Sequence, residues 1–161
     1  MRQENAKYFW ALTRIALGFI FLWAFLDKLF GLGFSTPPEN AWLAGGSPTA
    51  GFLQFAPRGP FAGLYNSMAG NPVVDVLFMF GLLGLGIALL LGIGMKIAGV
   101  AGPLLMLLMW SARLPPENNP IIDEHIVYAF TIMGLAAARA GRTWGLGEWW
   151  AERVKGAPIL E

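Results

Sequence analysis

The sequence predicts an all-α integral membrane protein, a four-helix bundle in a single domain over residues 1–161 with both termini on the cytoplasmic side. Three observations carry this. Charged residues make up 13% of the chain, against about 25% in soluble domains. Hydrophobic residues reach 56% with a mean hydropathy of +0.56, so a globule this small would have too little polar surface to solvate itself. The apolar residues also collect into four stretches, at 8–26, 73–95, 97–114 and 121–138.

The first stretch, interrupted only by Arg14, would extend about 28 Å as a helix, enough to cross a bilayer. The DKLFGLGFSTPP that follows offers no small-residue cleavage site, so it reads as a retained span and not a signal peptide. Residues 27–72 form an outer loop. Its stretch from Ala41 to Gly70 carries one charge, Arg58, and is too apolar to be freely solvated. Ser47-Pro48 and Gly59-Pro60 predict the starts of short interfacial helices, burying Phe52, Leu53 and Phe55, then Phe61, Leu64, Tyr65 and Met68. Such a loop is either a flap packed on the bundle or a lid and docking surface over its outer mouth.

In the second span, Gly84, Ala88 and Gly92 fall four apart and predict a small-residue ridge for close helix approach. Gly102-Pro103 should kink the third. The fourth opens with Asp123, Glu124 and His125, and beyond it residues 141–156 combine three tryptophans with Arg and Lys, as a cytoplasmic interfacial helix would. Orientation follows from the bases. Arg2, Lys7, Lys96, Arg139, Arg142, Arg153 and Lys155 fall on one side, and Lys28, Arg58 and Arg113 on the other. The outer side also holds Asp27, Glu39, Asp75, Glu117, Asp123 and Glu124, so it is net acidic.

PPEN occurs at 37–40 and 115–118, and NPVVD at 71–75 is matched by NPIID at 119–123. The order predicts two helical hairpins related by a pseudo-two-fold along the membrane normal, with Asp75 opposite Asp123. Helix capping alone would also favour Asn-Pro followed by an acid.

Composition excludes several chemistries. Without cysteine there is no disulfide, iron–sulfur ligation or thiol redox chemistry, and a single histidine excludes bis-histidine haem ligation. A net charge of +1 without basic clusters excludes a nucleic-acid partner. One histidine among scattered carboxylates lacks the spacing of a dedicated metal site. The remaining ionisable groups gather at the outer end, where Asp27 and Lys28 close the first span, Asp75 opens the second, Trp110 and Arg113 close the third and Asp123 to His125 open the fourth. Intramembrane charges call for partners, so acids and bases are expected to interleave in one polar ring. His125, two residues beyond Asp123, should point to a different side of its helix; a lone histidine is more often a structural hydrogen-bonder than a base. Arg14 either snorkels to the cytoplasmic face or turns inward, where no acid lies at its depth and carbonyls, water or a head group must serve.

TRIALGFIFLWAFLDKLFGLGF, GGSPTAGF, FMFGLLGLGIALLLGIGMKIAG, PPENNPIIDEHIVYA and AGRTWGLGEWW together resemble the DoxX/DoxD family of small four-helix membrane proteins over nearly the whole chain. The family name derives from thiosulfate:quinone oxidoreductase, in which a DoxD-type membrane subunit acts with a second subunit. The resemblance implies a quinone-linked redox subunit working with a protein partner in the cell membrane, and points to Arg14, Asp27, Lys28, Asn119, Asp123 and His125. The net acidic outer end speaks against thiosulfate itself. Quinone chemistry needs proton donors and a flat apolar slot, which His125, Asp123, Lys28 and Arg14 as catalytic groups, with Trp23, Asp27, Asp75, Trp110, Arg113 and Asn119 as binding groups, would supply. The chain lacks a cofactor-ligating set, so its electrons would come from the partner. A non-catalytic accessory or assembly subunit of a larger respiratory complex, homo- or hetero-oligomeric, is the alternative. A solute pathway is disfavoured because the middle two spans have no interior charge.

Overall fold

The computed structural model describes residues 3–161, so Arg2, counted above toward the cytoplasmic side, lies outside the described residues. Among them are seven α-helices and no strand: α1 (Gln3–Phe30), α2 (Ala50–Phe55), α3 (Ala62–Ser67), α4 (Pro72–Leu91), α5 (Met95–Ala112), α6 (Glu124–Ala137) and α7 (Gly147–Arg153). Asn5–Phe30, Pro72–Leu91 and Met95–Ala112 are long and apolar enough to cross a membrane. The helix of the fourth apolar stretch has 14 residues and so reaches about 21 Å. It is shorter than predicted because Asp123 takes the N-cap position, leaving Ile121 and Ile122 outside.

The helices pack in sequence-adjacent pairs, α1 along α4 and α5 along α6, with α4 against α5 and α1 touching α6. Leu17 and Phe21, Leu82 to Leu89, Ala98 and Met106, and Ala129, Ile132 and Leu135 meet in one core. Their opposite faces present Phe19, Leu77, Phe80, Val100, Leu104 and Phe130 outward, a surface compatible with lipid contact.

Close helix approach rests on residues other than the predicted ridge. Gly84 has open space around it and Gly92 ends α4 in a left-handed cap. The tight crossing is between Gly18 and Gly86: a Cβ on Gly86 would sit 2.8 Å from the Leu22 nitrogen, and one on Gly18 2.7 Å from the Leu90 nitrogen. Both obstacles are backbone, which cannot move aside. Pro103 lies buried inside α5, which continues through it to Ala112.

The two copies of the sequence repeat adopt different local structures. The first PPEN forms a 3₁₀ turn from Pro38 to Asn40, while the second follows a cis Leu114–Pro115 bond and forms no helix. Asn71 caps α4 through Val73 N–H, putting Asp75 within the helix. Asn119 instead accepts from Ile121 and Ile122 N–H in a turn, and the helix begins five residues later, at Glu124. Asp75 and Asp123 therefore hold unlike positions.

In the outer loop, α2 and α3 form where Ser47-Pro48 and Gly59-Pro60 place them, but their apolar residues are only partly covered. Leu53 is buried, whereas Phe55, Phe61 and Leu64 are exposed. The loop is tethered to the end of α5 by polar contacts instead. Tyr65 Oη lies 3.0 Å from the Leu108 carbonyl and 2.6 Å from Ser111 Oγ. Arg58 N–H donates to the Ala112 carbonyl at 2.9 Å, and the Arg58 side chain meets Glu117 at 2.9 Å.

Gly86→Val should lower stability by about 1–3 kcal/mol through overpacking, while Gly84→Ala on the same helix should be neutral or slightly stabilising. Thermal unfolding of the two variants in detergent checks the contrast.

Candidate functional site

The most buried ionisable side chain is Arg14, fully enclosed in α1. A guanidinium carries a planar fork of five N–H donors and no acceptor, and here the fork is filled by carbonyls. Nη1 donates to the Leu89 carbonyl and to that of Leu90, the latter at 2.9 Å. Nη2 donates to the carbonyls of Thr143 at 3.2 Å and Trp144 at 2.9 Å. Only Nε lacks a partner. Leu89 and Leu90 belong to the last turn of α4, whose carbonyls have no acceptor role left inside the helix and carry its partial negative charge. The remaining two of that turn are also met: Ala88 by Gly92 and Ile93 N–H, and Leu91 by Leu146 N–H at 2.7 Å.

Glycine makes this closure reachable. A Cβ on Gly92 would lie 2.6 Å from the Gly141 oxygen and 3.1 Å from Arg14 Nη1, and one on Gly145 would lie 3.0 Å from Arg14 Nη2. Trp144 adopts φ 50°, a costly conformation for a side-chain-bearing residue that coincides with its carbonyl facing Arg14. Arg14 is thus the clasp between α1, the end of α4 and the TWGLG segment. It neither snorkels nor joins the outer cluster, since Asp27 lies 13 residues further along α1, about 20 Å away.

At the outer end the predicted ring of alternating acids and bases does not form among the described residues. Two of the carboxylates, Asp27 and Asp75, are instead satisfied by neutral donors from loop segments. Asp27, 1% exposed, accepts from Phe34 N–H at 3.1 Å and from Ser35 N–H and Oγ at 2.9 and 2.7 Å. Asp75 accepts from Ser47 Oγ at 2.9 Å and from Thr49 N–H and Oγ1 at 3.1 and 2.6 Å. Amides and hydroxyls brought by a short loop satisfy a buried carboxylate without immobilising a long cationic side chain. Each acid thereby fixes its loop: Asp27 folds 31–36 over the end of α1, and Asp75 pins 47–49 to the start of α4. Arg113 pairs with Glu124 at 3.4 Å on the surface.

Asp123 and His125 come together. As the N-cap, Asp123 stands outside the helix and accepts from His125 and Ile126 N–H, and its other oxygen lies 2.9 Å from His125 Nδ1. This corrects the expectation that the two diverge, which holds only when both residues are helical. His125 is 6% exposed and shares a helix face with the core residues Ala129 and Ile132. Its Nε2 makes no hydrogen bond to any described residue. Glu124 completes a trio whose ligand-type atoms lie within 4.8 Å of one another, but its carboxylate is engaged by Arg113 and the other two residues engage each other.

Lys28 faces a separate cavity of about 400 Å³ lined also by Ser35, Thr36, Asn40, Ser47 and Phe52. It is the only charged residue in that lining. Trp23 packs with Phe19 and Phe34, and Trp110 donates from Nε1 to the Ile121 carbonyl at 2.7 Å. Neither lines the cavity, and Asn119 is occupied by its own turn. The predicted set therefore divides into a carboxylate–imidazole pair, a cationic polar cavity and a remote arginine clasp. Sequence reasoning missed Ser35, although GFST lies just beyond the acid it serves, missed Ser47 and Thr49, which lie 28 and 26 residues from Asp75, and missed the glycine spacing of TWGLG as the seat for Arg14.

Arg14→Lys keeps the charge but cannot span two pairs of carbonyls, so it should leave buried acceptors unpaired at a cost of about 1–3 kcal/mol each. Hydrogen exchange should then rise across 141–147 and at the end of α4, with α6 unchanged.

Compared with models of protein families, with curated proteins and with solved structures, the chain matches none.

Proposed function

We propose that this chain is a four-helix membrane subunit, with both termini cytoplasmic, that works with a partner subunit in quinone-linked redox chemistry, as its resemblance to the DoxX/DoxD family implies. The observation that carries the reading is the buried Asp123–His125 pair with its second imidazole nitrogen unengaged. Quinone reduction takes up two electrons and two protons. The chain has no cysteine for thiol redox chemistry, and the electrons are assigned to the partner and the protons to this pair. A carboxylate on Nδ1 fixes the tautomer that leaves Nε2 to accept and deliver a proton, and it stabilises the charged ring in between. Lys28 is assigned to the polar cavity, whose hydroxyl lining suits a small anionic donor better than a flat apolar ring. The acids that would repel an anion there, Asp27 and Asp75, are each capped by hydrogen-bond donors.

An accessory role is favoured by a different observation. Arg14, Asp27 and Asp75 are all spent on internal contacts, while Phe34, Leu43, Phe55 and Leu64 of the outer loop are exposed, as a surface that docks to another membrane subunit would be.

His125→Gln and Asp123→Asn separate the two. Asn remains a good N-cap, so Asp123→Asn preserves α6 while removing the charge. In membranes containing the native partner, quinone-linked turnover should fall by about a hundredfold or more in His125→Gln and less in Asp123→Asn, with unchanged thermal stability. Wild-type turnover in both variants, with loss of complex on deletion of α2 and α3, would establish the accessory role instead.

A further inference from the structure

At the end of the molecule opposite the outer cluster, Lys96 in the first turn of α5 and Arg142 after α6 hold one carboxylate between them. Glu161 Oε2 lies 3.0 Å from Lys96 Nζ and Oε1 lies 2.9 Å from Arg142 Nη2. The main chain joins in: Lys96 N–H donates to the Glu161 main-chain oxygen at 2.8 Å, and Lys96 Nζ to the Pro158 carbonyl at 2.8 Å. These groups surround a cavity of about 90 Å³ whose lining also includes Arg139, Gly92, Gly141 and Trp150. Three cations thus face a single acid. Arg139 makes no ion pair with a described residue. The two cations hold the Glu161 carboxyl below its usual range.

From Lys96, one helical face runs through Val100, Leu104 and Leu108. All three are exposed, at 72%, 58% and 48%, and the face follows a helix long and apolar enough to cross a membrane. Cations at the foot of such a stripe stand at head-group level with hydrocarbon-facing side chains directly beyond them. Basic pockets between transmembrane helices on the cytoplasmic side are suited to anionic head groups.

We propose that the Lys96–Arg139–Arg142 pocket binds the phosphate group of an anionic lipid whose acyl chain lies along Val100, Leu104 and Leu108, and that Glu161 is an internal stand-in for that phosphate. The carboxylate reproduces two of the contacts a phosphate oxygen pair would make and leaves Arg139 for a third. Head-group binding displaces Glu161 and releases the Pro158–Leu160 turn from α5. This site rests on the membrane placement of the three long helices and is independent of any role for the outer Asp123–His125 pair.

The test is native mass spectrometry of the full chain released from nanodiscs of phosphatidylcholine alone or with a minor share of phosphatidylglycerol. Lys96→Gln and Arg142→Gln should each reduce retained phosphatidylglycerol by about fivefold, the weight of one basic residue near an anionic surface. Glu161→Gln should raise retention by removing the competing carboxylate. Equal phosphatidylglycerol retention in Glu161→Gln and wild type overturns the proposal, and does so even where the basic variants fail to fold. Inorganic phosphate added to the phosphatidylcholine sample distinguishes the source of the anion: if it stabilises the wild type and not Lys96→Gln while phosphatidylglycerol retention is the same in all variants, the pocket takes a free anion and the lipid assignment is overturned.

Discussion

The last turn of α4 must find partners for its carbonyls in an apolar setting, and most of the packing at that end of the structure follows from how it does so. A helix end in water is met by solvent; a helix end inside a packed, lipid-facing molecule leaves each carbonyl as a cost. Here Gly92 turns the chain back on Ala88, Leu146 reaches Leu91, and Arg14 takes Leu89 and Leu90. A single guanidinium has enough donors to reach a second strand of chain as well, so the same side chain fixes Thr143 and Trp144. A lysine or histidine has neither the reach nor the donor geometry for this. The glycines at 92, 141 and 145 are where they are because the backbones they belong to must come close enough for that fork to span them.

The outer end solves a related problem with the opposite charge. Asp27 and Asp75 sit where helices meet loops; Asp27 gathers one hydroxyl and two backbone amides from residues 34 and 35, and Asp75 two hydroxyls and one amide from residues 47 and 49. Neutral donors satisfy the carboxylates while adding no further ion to desolvate. The result is that charge in this molecule is mostly architectural. It also narrows where chemistry can reside, because a carboxylate already accepting three hydrogen bonds is a poor proton carrier, whereas His125 retains a ring nitrogen and Lys28 faces open space.

Much of the helical layout was legible in the sequence, since long apolar stretches bounded by Asn-Pro, Gly and Pro have few other folded forms. The pairing of adjacent helices and the short helices after Ser47-Pro48 and Gly59-Pro60 were legible for the same reason. What was not legible turned on contacts distant in sequence. Spacing picked out Gly84, Ala88 and Gly92 as a ridge, but periodicity does not reveal which face of a uniformly apolar helix meets a neighbour, and Gly86 lies on that face. The repeat led to equating Asp75 with Asp123, although a cap residue and a residue one turn into a helix direct their side chains differently. Arg14 invited a functional role because its acceptors are carbonyls, which every residue has and no motif marks.

The acceptors of Arg14 all lie further along the chain, two of them 75 and 76 residues on and two of them 129 and 130. The guanidinium is carried by α1, yet half of its partners are made more than a hundred residues later. Until Trp144 has been made, the cation of α1 lacks part of its acceptor set. One buried arginine thereby makes the pairing of α1 depend on a segment 129 residues further along the chain.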